Sequence, residues 1–192
     1  AGPGQWPILN RGGDCANLTV DNAAEFRIID PSVTLSVAGD FTATGVVEIS
    51  DGLLDITGAG TFNKGANILG GEIEVDGATT IGSGYSLDIN TLFDANGSFD
   101  ATGANILMGS SGNLTLASSV SLGALDELEG TVTYDGGTSF ASDNYYNLVI
   151  NSGNEHTASS TVAVNGDLTI SSGTYRPLSH TTTVSGTSDI DG

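Results

Sequence analysis

Apolar and polar residues alternate along this chain in short runs that keep returning. "NLTV" (17–20), "TLSV" (34–37), "LLDI" (53–56), "EIEV" (72–75), "NLTL" (113–116), "TVTY" (131–134), "NLVI" (147–150) and "DLTI" (167–170) share one pattern. A period of two over four residues, bounded by "DG", "GG", "NG" or "SG", predicts short strands joined by tight turns. The first apolar positions are Leu18, Leu35, Leu54, Ile73, Leu92, Leu114, Val132, Leu148 and Leu168, at steps of 16 to 22 residues. Between them lie further alternations, among them "FRI" (26–28), "VEI" (47–49), "SLDI" (86–89), "NILM" (105–108) and "VAV" (162–164). Hairpins would explain any one pair of these. A period near 19 residues, sustained over about nine turns, predicts an all-β solenoid of about nine rungs in which each rung buries its inward residues against its neighbours. A β-sandwich or jelly roll is the alternative.

In this register the nine anchors form one inward stack, and Val20, Val37, Ile56, Val75, Leu116, Tyr134, Ile150 and Ile170 form a second. Asp94 would fall into the second stack, where a carboxylate has no place without a partner, so the register is expected to slip around 91–99. "LGALDELEG" (122–130) repeats Leu122, Leu125 and Leu128 every third residue and ends on Gly130. It reads equally as a two-turn helix or a distorted strand. Residues 1–16 are expected to form an N-terminal strand, cap or assembly segment, and 17–192 the solenoid repeat domain.

Composition sharpens this picture. Ser and Thr together number 43 and Gly 28, while Pro occurs at 3, 7, 31 and 177 only. Recurring Val, Ile and Thr separate the chain from disordered Gly-rich sequences. No apolar run is long enough to cross a bilayer as a helix. Against 23 acidic residues stand Arg11, Arg27, Lys64 and Arg176, a formal charge of −19. That balance argues against nucleic acid and against insertion into or binding to an anionic membrane. It favours solubility, with divalent cations as the next expectation. Cys15 is alone, which excludes an internal disulfide, and is expected to be a small buried apolar residue. No signal peptide is visible; it could have been removed, or the chain could be a piece of something longer.

Candidate chemistry is sparse. The outward positions between the two stacks read Thr19, Ser36, Asp55, Glu74, Phe93, Thr115, Thr133, Val149 and Thr169. Asp55 and Glu74 would stand one rung apart, roughly 4.8 Å, and could share a proton, hold Ca²⁺ weakly, or splay into water. No cofactor is expected beyond that Ca²⁺. A lyase would need basic residues that the chain lacks. His156 and His180, in "SGNEHTAS" and "LSHTTT", fit exposed loops better than a catalytic triad. Threonines in the outward column are too interrupted for ice binding. Asn17, Asn96 and Asn113 head N-x-S/T sequons. No enzyme is expected.

"WPILNRGGDCANLTVDNAAEFRI" (6–28), "TLSVAGDFTATG" (34–45), "GTVTYDGGTSFASDNYYNLVI" (130–150) and "VAVNGDLTISSGTY" (162–175) resemble the repeat regions of large secreted proteins of Gram-negative gliding bacteria. The matched segments cover roughly half of the chain. The resemblance implies a right-handed parallel β-solenoid, secreted or held at the cell surface, with an adhesive or structural use. It carries no catalytic residues.

A solenoid exposes unpaired backbone groups on its first and last rungs. Trp6 and Ile8 at the front, and Val184 and Ile190 at the back, are the residues expected to extend or cover those rungs. The sequence therefore predicts a structural or adhesive protein, plausibly a filament subunit that self-associates end to end. The alternative is a carbohydrate-binding or carbohydrate-cleaving β-helix that engages surface glycans, with Tyr134, Tyr145, Tyr146 and Tyr175 as the aromatics available to line a groove, although inward packing explains some of them more simply.

Overall fold

The computed structural model describes residues 8, 9, 11–138, 140, 141 and 143–191. The chain is a right-handed parallel β-helix, all-β with no helix among the described residues. Three faces alternate along the chain. Face A holds Ile8–Leu9, Glu25–Ile28, Val46–Ile49, Ala66–Ile68, Ser86–Ile89, Asn105–Met108 and Ala124–Leu125. Face B runs the whole length, from Gly13–Cys15 through Thr34–Val37, Leu53–Ile56, Glu72–Val75, Leu92–Ala95, Asn113–Leu116, Thr131–Tyr134, Asn147–Thr157 and Leu168–Arg176 to Ser188–Ile190. Face C holds Leu18–Val20, Phe41–Ala43, Gly60–Phe62, Thr79–Ile81, Phe99–Asp100 and Val120–Ser121. Near the C-terminus a small fourth sheet, face D, comprises Asn144–Tyr145, Val162–Val164 and Thr182–Val184. Asn144 and Asn165 tie face D to the end of face A by donating to the side chain and the carbonyl of Glu127, at 3.0 and 3.2 Å.

Every described strand pairing is parallel and nearly all run in register, so equivalent side chains stack in columns. On face B the inward columns are Leu35, Leu54, Ile73, Phe93, Leu114, Val132, Leu148, Leu168, and Val37, Ile56, Val75, Ala95, Leu116, Tyr134, Ile150, Ile170, all buried. The slip around residue 91 is real and measures one residue. Phe93, not Leu92, stacks between Ile73 and Leu114, because Leu92–Ala95 pairs with Glu72–Val75. Asp94 thereby moves to the outward column and Ala95 takes the interior.

A second correction concerns the start. Leu18 and Val20 lie on face C, paired with Phe41 and Ala43; on face B the same rung is Gly13–Cys15. The segment 122–130 is the distorted strand: Ala124–Leu125 closes face A, and Leu128 is 77% exposed.

The interior of the first five turns is threaded by phenylalanines. Phe26, Phe41, Phe62, Phe93 and Phe99 follow one another at ring-centroid distances of 5.2–6.1 Å. Such contacts contribute beyond area burial. Gly60 makes room for them: a Cβ there would sit 3.0 Å from the Phe62 ring.

Corners limit side chains as strictly as the core. At Gly65, with φ +75°, a Cβ would lie 1.7 Å from the Ser86 carbonyl one rung on, whereas Gly84, with φ +79°, faces open space. G84A is expected to cost only the left-handed strain, about 1–2 kcal/mol. G65A adds a backbone clash and should cost at least about 1 kcal/mol more, as read from urea midpoints. The register is tested in the same way. F93A should lose about 3–5 kcal/mol, and L92A, at a half-buried outward position, well under half of that.

Candidate functional site

The outward column of face B carries the densest charge. In sequence it reads Asp14, Ser36, Asp55, Glu74, Asp94, Thr115, Thr133, Val149, Thr169 and Asp189. Asp55 and Glu74 are direct register partners, as the sequence predicts, and Asp94 extends them to three carboxylates on consecutive rungs. The slipped register had hidden that third member behind Phe93. Ser36 Oγ donates to Asp55 at 3.2 Å, and the Asn96 amide donates to Glu74 at 3.3 Å and to Asp76 at 3.2 Å. Asp94 Oδ1 is shielded from solvent and accepts no hydrogen bond.

Burial first, then the neighbouring Glu74, Glu72, Asp135 and Asp76 charges, raise the Asp94 pKa above its ordinary value. Glu72 is raised by burial and by Glu74. Among the described residues no group of three or more His, Cys, Asp or Glu side chains is arranged to hold a metal ion. The three carboxylates are spaced by the ladder, one per rung, rather than converging on a point.

Asp94 is therefore a net liability when ionised. A folded pKa above the unfolded value means that the native chain gains stability as pH falls through that raised pKa and loses it as pH rises. D94N should raise the urea midpoint at pH 7. It should also remove the contribution that protonation of Asp94 makes to stability between neutral pH and the ordinary Asp range near about 4.

One group that the sequence places in an exposed loop is interior. His156 is fully buried, its ring against Tyr134 and Phe140 and its Nε2 2.5 Å from Ser152 Oγ. The expectation of an exposed loop histidine fails because Asn147–Thr157 continues past a bulge at 151–154, and its last residues pair with Leu168–Arg176. His180 is half-buried and closes the turn from Pro177 through its N–H. Tyr134 and Tyr145 are buried too, so they line no groove. Ala141 N–H donates to Tyr134 OH, Tyr134 OH donates to Tyr145 OH at 2.9 Å, and Tyr145 OH donates to the Ala141 carbonyl. Burial pushes the Tyr134 pKa up to about 12 and that of Tyr145 well above its usual value. Tyr175 is half-buried against Phe140 and bonds Thr182; Tyr146 alone of the four is exposed.

The sequon asparagines are engaged in the ladder: Asn17 accepts from Asp40 N–H and Asn113 from Thr133 Oγ1, as Asn96 donates to Glu74 and Asp76. On face C, Thr19, Thr42, Thr61 and Thr80 form a continuous outward column, a run the one-column reading of the sequence had missed, ended by Asp100.

The two ends form the other candidate site. At the N-terminal end a cavity of about 390 Å³ opens among Leu9, Cys15, Leu18, Val20, Phe26 and Leu35. Cys15 points inward there in the Val37 column, half-buried rather than enclosed. At the C-terminal end a cavity of about 380 Å³ opens among Leu168, Ile170, Tyr175, Pro177, Val184 and Ile190. Of the residues expected to act in assembly, Val184 and Ile190 lie at this mouth, Ile190 63% exposed. Ile8 lies in the first strand of face A, paired through its backbone with Arg27, and Trp6 falls outside the described residues.

Compared with family models, curated proteins and solved structures, the chain matches none.

Proposed function

We propose that this chain is a secreted, non-enzymatic structural or adhesive β-solenoid, a unit of an extracellular filament built by adding strands to its terminal rungs. The observation that carries the reading is the pair of open apolar mouths. Cys15 and Leu18 at one end, and Val184 and Ile190 at the other, are half-buried or exposed members of inward columns that have no further rung among the described residues. A further rung at either end would bury them and pair the edge strands. The acidic outer face supports the same reading, since a charge of −19 spread along the sides opposes lateral clumping and leaves the ends as the surfaces that attract. The apolar ends are non-equivalent, so contact between them is head to tail and propagates rather than closing.

Electron microscopy and sedimentation velocity across a concentration series test this. Linear particles with a repeat of about 45–50 Å, from ten rungs at about 4.8 Å, are the expected outcome. Compact monomers at every concentration, together with binding on a glycan array, would replace it with a carbohydrate-binding function.

A further inference from the structure

One corner is built twice in this chain, and its unfinished halves stand at opposite ends. Near the N-terminus Cys15–Ala16–Asn17–Leu18 turns from face B to face C against Val37–Phe41 on the next rung. Ala38 N–H donates to Cys15 O at 2.9 Å, Leu18 N–H to Asp40 O at 3.1 Å, and Asp40 N–H to Asn17 Oδ1 at 2.8 Å. Asp40 Oδ1 then accepts Ala59 N–H at 2.9 Å, carrying the side-chain ladder upward.

Near the C-terminus Tyr145–Tyr146–Asn147–Leu148 turns from face D to face B against Val164–Leu168 with the same bonds. Asn165 N–H donates to Tyr145 O at 2.8 Å, Leu148 N–H to Asp167 O at 2.9 Å, and Asp167 N–H to Asn147 Oδ1 at 2.9 Å. Asp167 Oδ1 accepts both Thr187 N–H at 2.7 Å and Thr187 Oγ1 at 2.8 Å. The last corner, Val184–Ser188, thus ends on an exposed hydroxyl whose proton is committed to Asp167 and whose oxygen retains its capacity to accept.

Resting on the end-to-end reading above, we propose that copies join head to tail with the Val184–Ser188 corner of one seated against the Cys15–Leu18 corner of the next. Ala16 N–H of the incoming copy donates to Val184 O, its Asn17 N–H to Thr187 Oγ1, and Ser188 N–H donates to its Asn17 carbonyl. Each bond repeats one made inside the chain, and a four-residue corner already stacks with a five-residue one at both internal places. Cys15 then lies over Val184, and Val20 over Ile190, which closes both apolar mouths at once. The seam turns the solenoid by one face, because face B of the incoming copy continues face D. The competing arrangement, face B upon face B, would put Cys15 over Ile190 and leave Thr187 Oγ1 without a donor from the corner.

Single-cysteine proteins separate the two. The unmodified chain, whose one thiol is Cys15, is mixed with C15S/V184C or with C15S/I190C, oxidised, and the heterodimers are quantified by mass spectrometry of the disulfide peptides. Sedimentation runs in parallel on each variant alone. A disulfide needs Cα atoms within about 7 Å, so the expected result is an excess of the 15–184 heterodimer over 15–190 of about tenfold or more. An excess of 15–190, or neither bond in samples that do form linear particles, overturns this register and leaves end-to-end stacking in place. Monomers throughout, with only statistical cross-linking, overturn the register and the filament reading together.

Discussion

Everything in this molecule depends on parallel strands staying in register from rung to rung. A single turn of about 19 residues has no interior of its own; its two inward side chains per face are covered only by the turns before and after. The column is therefore the unit of stability, and a wrong residue in one rung is felt by three. The columns explain why the phenylalanines occur singly and offset, at Phe26, Phe41, Phe62, Phe93 and Phe99, with Gly60 and the alanines Ala43 and Ala95 making space beside them. They explain, too, why corner glycines such as Gly65 tolerate nothing larger, since the next backbone passes directly over them.

The same rule governs the outer surface. Stacking in register places like beside like, which suits Thr19, Thr42, Thr61 and Thr80 on face C. For Asp55, Glu74 and Asp94 it forces three carboxylates into one line. Donors from Ser36 and Asn96 relieve the first two, and Asp94 carries the residual strain as a raised pKa. Such a line is a property of the ladder before it is a binding site: its carboxylates are spaced one per rung, and among the described residues no group of three or more His, Cys, Asp or Glu converges to hold a metal ion. Two of the four cations pair locally, Arg27 between Glu25 and Glu48 and Arg176 on Glu155.

The proposed assembly rests on the terminal rungs of the described residues. An interior rung satisfies both of its neighbours, whereas a terminal rung leaves half of its backbone groups and one side of each inward residue to something else. The corner ladders give those ends a direction. Asn17 and Asn147 each begin a ladder in which a side-chain oxygen accepts the N–H of the following rung, and Thr187 leaves the second ladder open.

The repeat period, the all-β character, the parallel stack and most of the core were legible in the sequence, because inward and outward positions alternate with a period of two and the turns are marked by glycine. So was the Asp55–Glu74 pair, since adjacent repeats align over those residues without a gap. Three things were not. "NLTV" at 17–20 and "NLVI" at 147–150 look like one strand on one face, yet they occupy faces C and B; what they share is a corner, and four letters cannot say which face a corner leads to. The one-residue slip at Leu92–Phe93 could not be placed, because both residues are apolar and only the pairing with Glu72–Val75 chooses between them. The burial of His156 was hidden because a bulge at 151–154 lets one strand continue where the local sequence reads as a polar loop. The sequence by itself determined that the chain coils and most of what it buries; tertiary structure alone decided which face each strand joins, because that choice depends on turn length measured against the rung beneath.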